Sequence, residues 1–290
     1  MDLALLFGLA SALAYGSGDY LWRHAGRAVG LWRSSFYGAL AGLLALSVGL
    51  LFEPAAVRHA LAAPAVAWVG CVGAALALVA ASIFLTQGLI RGTLAVVAPV
   101  TASYGAVTAL LSSLAGERFS AVATLGLALV IGGACTVAIR PHPPPALQPG
   151  ASHSTGVGWA AAAALAFGGG FWLQGRYAVP ALGAVVPVWT LYAAESLVVA
   201  ALAVGVRASL APPERGSMAA VLAASGLGVA GFVALTLGLG TGKLAIVVAL
   251  SSVTSAITVL LGRVLDGARL AAHQWLAVAA VVVGLMLLRG

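Results

Sequence analysis

The stretch Leu85-Thr86-Gln87-Gly88-Leu89-Ile90-Arg91-Gly92-Thr93-Leu94-Ala95 returns 150 positions later as Leu235-Thr236-Leu237-Gly238-Leu239-Gly240-Thr241-Gly242-Lys243-Leu244-Ala245. Carried on to residue 121, the comparison holds thirteen identities in 37 positions. Chance in so Ala- and Leu-rich a chain supplies about four or five. The opening of the chain repeats too, at an offset of 152. Ala12-Leu13-Ala14-Tyr15-Gly16-Ser17-Gly18 matches Ala164-Leu165-Ala166-Phe167-Gly168-Gly169-Gly170. The chain reads as two copies of one unit.

Composition says what the unit is made of. Of 290 residues, 62% are hydrophobic and 7% charged, against about 25% charged in an ordinary soluble domain. Polar side chains cannot cover a globule of this size, which excludes a soluble enzyme, a disordered chain and a nucleic-acid binder. The formal charge of +7 does not argue for nucleic acid, because the basic residues stand singly between apolar runs. Cys71 and Cys135 both lie inside apolar runs and suit neither a disulfide framework nor a zinc site. No metal or cofactor is expected.

A helix needs about 20 apolar residues to cross a bilayer. Runs of that kind predict ten spans, at 3–22, 34–52, 65–87, 94–114, 120–139, 156–173, 185–206, 218–239, 244–265 and 270–288. Residues 140–155 carry five prolines, each lacking a backbone donor, and read as a semi-rigid linker between halves 1–139 and 156–290. Five is odd, so consecutive copies enter the membrane in opposite directions. The expected fold is an all-α integral membrane protein of ten transmembrane helices in two inverted five-helix repeats, the architecture of alternating-access transporters. The first span follows Met1-Asp2 without a basic region and is expected to be retained, not cleaved as a signal peptide.

The segment Gly88-Leu89-Ile90-Arg91-Gly92-Thr93-Leu94-Ala95-Val96-Val97-Ala98-Pro99-Val100 leads a Ser/Thr/Tyr-bearing helix that runs into Gly116-Glu117-Arg118-Phe119-Ser120. This resembles the drug/metabolite transporter superfamily, in its ten-helix EamA-like branch. In the second half Asp266-Gly267-Ala268-Arg269 stands for Gly116-Glu117-Arg118, and Ala249 for Pro99. The resemblance implies export or exchange of small metabolites through a central cavity lined by spans one, three, four, six, eight and nine. It also implies that both termini are cytoplasmic. The positive-inside rule points the other way, with nine basic residues opposite the termini and five beside them. A chain without Asn and with one Lys against thirteen Arg has the skew of a G- and C-rich genome, so a bacterial inner membrane is expected.

Ionisable groups inside spans default to functional hypotheses. Ser11, Tyr15, Asp19 and Trp22 fall on one face of the first span. That stripe suits an amine or cation through charge and cation–π contact. Alternatively, Asp19 pairs with Arg23 one turn on and Trp22 anchors the interface. In the sixth span Phe167, Phe171 and Gln174 occupy the equivalent positions, giving an apolar wall with a polar end. Beside them Gly168-Gly169-Gly170 argues for close backbone approach. Thr101, Gly105, Thr108 and Ser112 form a stripe matched by Ser251, Ser255, Thr258 and Gly262. Thr108 and Thr258 read as packing residues, while Tyr104, Ser251 and Ser255 are cavity candidates. Pro99 reads as a hinge. Glu195 is either a proton carrier or a structural partner of Arg33 or Arg263, the latter favoured because the resemblance puts span seven outside the cavity. Trp189 and Tyr192 read as interface anchors.

Gly16-Ser17-Gly18-Asp19 also matches the Gly-x-Gly-Asp pattern of intramembrane aspartyl proteases. That chemistry needs two close carboxylates. The other aspartates, Asp2 and Asp266, lie at a terminus and in a loop. No enzyme activity is expected. The solute is read as an amino acid or related metabolite, with hydrophobic-cation efflux or a non-transporting scaffold as the alternatives. Phosphorylated solutes would want several fixed Arg or Lys.

Overall fold

The computed structural model describes residues 2–91, 97, 100–137, 139, 153–265 and 271–288. Among them every regular element is helical. The chain runs through α1 (Leu3–Val29), α2 (Leu31–Leu51), the short α3 (Pro54–Leu61), α4 (Ala65–Arg91), α5 (Tyr104–Leu114) and α6 (Ala121–Val137). It continues as α7 (His153–Leu173), α8 (Val185–Gly205), α9 (Arg215–Leu239), α10 (Leu244–Ser251), α11 (Thr254–Leu265) and α12 (Ala272–Leu287). Six stretches are long and apolar enough to cross a membrane: Leu31–Leu51, Ala65–Gly88, Gly156–Leu182, Val185–Gly205, Arg215–Leu239 and Leu244–Leu265. This is the makeup of a multi-pass membrane protein. The apolar helices Val100–Leu114, Ala121–Val137 and Ala272–Gly284 are shorter. Pro99, most of the Pro-rich linker and 266–269 lie outside the described residues.

The distribution of side chains fits a bundle whose surroundings are apolar. Leu13, Leu44, Leu165 and Leu197 point outward, Leu197 at 72% exposure. Ala4, Ala12, Ala74, Ala75, Ala160 and Ala163 are all buried. In a lipid-facing bundle Leu gains nothing by turning inward, whereas small residues let helices approach closely. Substantial helix pairs join the region before residue 140 with that after 152: α1 with α9, α4 with α7, α6 with α12, α2 with α8, α5 with α7, α1 with α10 and α11, and α5 with α10.

Three irregularities position the interior. One residue, Gly30, connects α1 to α2 at φ 88°, a left-handed conformation that a residue without Cβ adopts at little cost. Helix α7 widens into a π-turn over Gln174–Ala178 before its last turn, Val179–Leu182. Pro180 explains the widening, since it has no N–H and its ring displaces the carbonyl four residues back. The expected span 244–265 breaks between α10 and α11. There Ser252 Oγ donates to the Ala249 carbonyl at 2.6 Å and Thr254 Oγ1 to the Ser251 carbonyl at 2.7 Å. Hydroxyls that bond carbonyls one turn back compete with the helical ladder. The same break occurs before α5, where Ser103 Oγ donates to the Val100 carbonyl at 2.6 Å.

The glycines of α1 and α7 mark close crossings. A Cβ on Gly168 would lie 2.5 Å from Val107 Cβ and 2.7 Å from the Tyr104 carbonyl oxygen. One on Gly16 would lie 2.5 Å from Ile257 Cβ and 3.0 Å from the Thr254 carbonyl oxygen. At the same crossings Thr108 Oγ1 donates to the Gly168 carbonyl at 2.9 Å and Thr258 Oγ1 to the Gly16 carbonyl at 3.1 Å.

Candidate functional site

Four helices from the two sides of the linker bring a continuous run of aromatic rings to the middle of the bundle. On α9, Gly231 has no side chain, and a Cβ there would sit 3.0 Å from the Tyr15 ring of α1. Tyr15 therefore lies against that helix and meets Phe232 edge-on, with centroids 5.9 Å apart and planes at 77°. Phe232 meets Phe171 of α7 at 6.0 Å, and Phe171 meets Tyr104 of α5 at 5.5 Å. Phe167 closes the group, stacked on Phe171 at 6.1 Å and tilted against Tyr104 at 5.9 Å. Edge-on and offset contacts at such separations are the favoured aromatic geometries.

Polar groups border the rings. Ser11 Oγ and Ser251 Oγ share a buried hydrogen bond of 3.0 Å between α1 and α10, and the Tyr104 hydroxyl neighbours Ser251. Asp19 is exposed and follows Tyr15 by one turn of α1. Glu195, partly accessible on α8, follows Tyr192 by three positions. Among the described residues neither carboxylate has a hydrogen bond or ion pair. The side chain of Arg23, the alternative partner of Asp19, lies outside them.

The expected site residues thus separate into groups. Tyr15, Tyr104, Phe167, Phe171 and Ser251 come together, and Asp19 lies one turn along α1 from Tyr15. The Trp22 ring instead packs on α2, where a Cβ at Gly38 would lie 2.3 Å from it, in a cluster with Ala25, Val29 and Val221. Gln174 is buried in the π-turn and its Oε1 has no partner. Ser255 turns to α6, donating to the Ala134 carbonyl at 3.2 Å. Tyr192 is no interface anchor: it is 9% exposed and packs against Gly42. Trp189 donates through Nε1 to Ser47 Oγ at 2.8 Å, tying α8 to α2. Phe232 joins the site without having been singled out. Its signal is that it is the one aromatic in 218–239.

The end of the bundle near the amino terminus carries a different chemistry. Asp2 caps α1 through the Ala4 N–H at 3.0 Å and receives Lys243 Nζ at 2.6 Å. The Lys243 contact holds the Asp2 carboxyl below its usual range, with the Ala4 N–H adding to it. Burial pushes the Glu117 carboxyl up, against the opposing pull of the Ser112 hydroxyl and the Ala245 N–H at the start of α10. Two surface cavities open here. One of about 640 Å³ includes Asp2 and Lys243, and one of about 590 Å³ includes Glu117, Trp172 and Arg176. Neither is lined by the aromatic run. Among the described residues no three His, Cys, Asp or Glu side chains group as metal ligands would.

No family model and no curated protein matches the chain. Seventeen solved chains match it in structure. One of them, a crystal structure described only as that of a protein, aligns with a TM-score of 0.77 at 20% sequence identity. The alignment covers 98% of this chain and 95% of the other. Identity at that level shows a shared fold, and the fold is held over the whole chain.

Proposed function

We propose that this chain is a secondary transporter of small metabolites, amino acids or related compounds, that exports or exchanges them by alternating access through the central aromatic cavity. The observation that carries the reading is the convergence of the Tyr15, Tyr104, Phe167, Phe171 and Phe232 rings from both sides of the linker. An acidic residue within a membrane-spanning helix is by default a candidate for function.

The finer architecture belongs to the same proposal: ten spans in two inverted repeats, in the ten-helix EamA-like branch of the drug/metabolite transporter superfamily. Exchanging each helix with its repeat counterpart turns the α1–α9 pair into α7–α4 and the α5–α7 pair into α11–α1, and leaves α2–α8 and α6–α12 in place. The same exchange turns the Thr108–Gly168 bond into Thr258–Gly16. These correspondences support a two-fold relation in the membrane plane, about which two halves can rock. The proposed setting is a bacterial inner membrane with cytoplasmic termini.

Counterflow in proteoliposomes tests the function. Vesicles loaded with pooled amino acids and related metabolites should exchange label from at least one pool. Tyr15→Ala and Asp19→Asn should lose that exchange while remaining monodisperse. Folded protein that exchanges no pool would overturn the reading and leave a scaffold role.

A further inference from the structure

The two copies of the repeat differ by one residue in their first helix. Gly16 and Gly168 correspond at the offset of 152. The turns that end the two helices, Gly30 at φ 88° and Gly183 at φ 74°, correspond at 153. The second copy therefore holds one extra residue between those points. It is absorbed where α7 widens, the Val179 N–H bonding the Gln174 carbonyl five residues back. A π-turn takes up one additional residue and leaves the α-helix on either side of it intact. Helix α1 stays α-helical from Leu3 to Val29 and contains no proline.

The extra turn sits at a crossing one helical turn from the aromatic run, Gly175 following Phe171 by four positions. A Cβ on Gly175 would lie 2.5 Å from Leu244 Cδ2 and 3.3 Å from Leu239 Cδ2. Further along, Val179 Cγ1 lies 3.6 Å from where a Cβ on Gly240 would be. The end of α7 is thus seated on the connection from α9 to α10. It also stands between the two surface cavities at this end. Val179 and Gly183 line one, Gly175 and Pro180 line the other, and Gly240 borders both. Gln174, in the same turn, is 2% exposed and its Oε1 has no donor. A buried acceptor without a donor costs free energy, so packing around the turn holds it in this form.

We propose that this crossing is a gate between the aromatic run and the end of the bundle near the amino terminus, closed in this structure, and that the π-turn of α7 is its hinge. Swinging the last turn of α7 off Gly240 and Leu244 joins the two surface cavities and opens them toward Phe171. The gate rests on the transport reading above and names the part that moves at this end. Because α1 is regular where α7 is not, the opposite end of the bundle has no matching hinge in α1, and the two openings work by different movements.

Val179→Cys combined with Gly240→Cys places a thiol where Val179 Cγ1 now lies, 3.6 Å from the second Cβ and near the span of a disulfide. In proteoliposomes of the full chain, oxidation with copper phenanthroline should crosslink the pair and lower counterflow of the pooled metabolites at least tenfold. Dithiothreitol should restore it. Each single variant, oxidised in the same way, should exchange like the parent, which sets Cys71 and Cys135 aside. For the hinge, deleting Ala178 together with Pro180→Ala gives this part of α7 the residue count of α1. Exchange should fall at least tenfold with elution and helical content unchanged. Crosslinked protein that still exchanges would overturn the gate and leave the transport reading standing. So would a pair that does not crosslink, because the closed contact would then not form. A deletion variant that exchanges like the parent would remove the hinge, and the crosslink decides the gate whether or not that variant folds. Folded parent that exchanges no pool would overturn both readings.

Discussion

Adjacent glycines of α7 should respond to the same substitution with opposite signs. Gly168→Ala puts a Cβ 2.5 Å from Val107 Cβ and 2.7 Å from the Tyr104 carbonyl oxygen. Neither neighbour can swing away, one being β-branched and the other backbone. Relief requires α5 and α7 to separate, and that stretches the 2.9 Å bond from Thr108 Oγ1 to the Gly168 carbonyl. Overpacking of this kind costs about 1–3 kcal/mol, and a side-chain hydrogen bond inside a membrane bundle averages about 0.6 kcal/mol. The expected loss is therefore about 2–3 kcal/mol. Gly169→Ala meets nothing within 4 Å. It should gain the helical preference of Ala over Gly, about 0.5–1 kcal/mol. Gly16→Ala, at the matching crossing with Ile257 2.5 Å away, should behave like Gly168→Ala. Equilibrium unfolding in mixed detergent micelles, with SDS as denaturant, reads all three. Equal shifts for Gly168→Ala and Gly169→Ala would refute the close-crossing argument, because helix propensity alone does not separate neighbours.

Three further outcomes are expected. Ser11→Ala and Ser251→Ala each leave one hydroxyl without its 3.0 Å partner. A double-mutant cycle by the same unfolding assay should give a coupling of about 0.6–1.7 kcal/mol, and zero coupling would mean the pair is not a bond. Phe232→Leu keeps apolar volume but removes the ring between Tyr15 and Phe171. At about 0.5–1.5 kcal/mol for ring contacts, affinity for an exchanged solute should fall roughly two- to tenfold with stability little changed, measured as the half-saturating concentration in counterflow. The Lys243 contact lowers the Asp2 carboxyl from an ordinary value of 3.8. Its stabilisation is then present above that value and lost as the pH falls below it. Lys243→Gln should flatten the fall in melting temperature below about pH 4 and change little at pH 7, since the pair is solvent-exposed.

The helices themselves were legible as apolar runs, because a bilayer demands length and apolarity and little else. The breaks were legible only in part. Ser251-Ser252-Val253-Thr254-Ser255 reads equally well as a packing stripe or as a set of hydroxyls bonding carbonyls one turn back, and only the backbone tells which. Pro180 hints at a distortion in α7, yet a proline permits a kink, a break or a π-turn. At the candidate site, helical spacing places Tyr15 and Asp19 on one stripe. It places Trp22 there as well, although the crossing of α1 over Gly38 takes that ring to α2. Phe232 belongs to no stripe, and its one signal is that it is the sole aromatic in 218–239.

From the sequence alone come the membrane setting, the helical class, the internal duplication and the candidate aromatics. All of these rest on properties local to one helix or on comparison of the chain with itself. The tertiary structure decided which helix meets which, α1 against α9 and α4 against α7. It also decided which of the stripe residues pack together, Tyr15 meeting Phe232 while Trp22 turns to α2. Periodicity specifies a face but not the neighbour that face meets. That neighbour is set by small-residue crossings such as Gly16, Gly168 and Gly231, where two helices fit only one way.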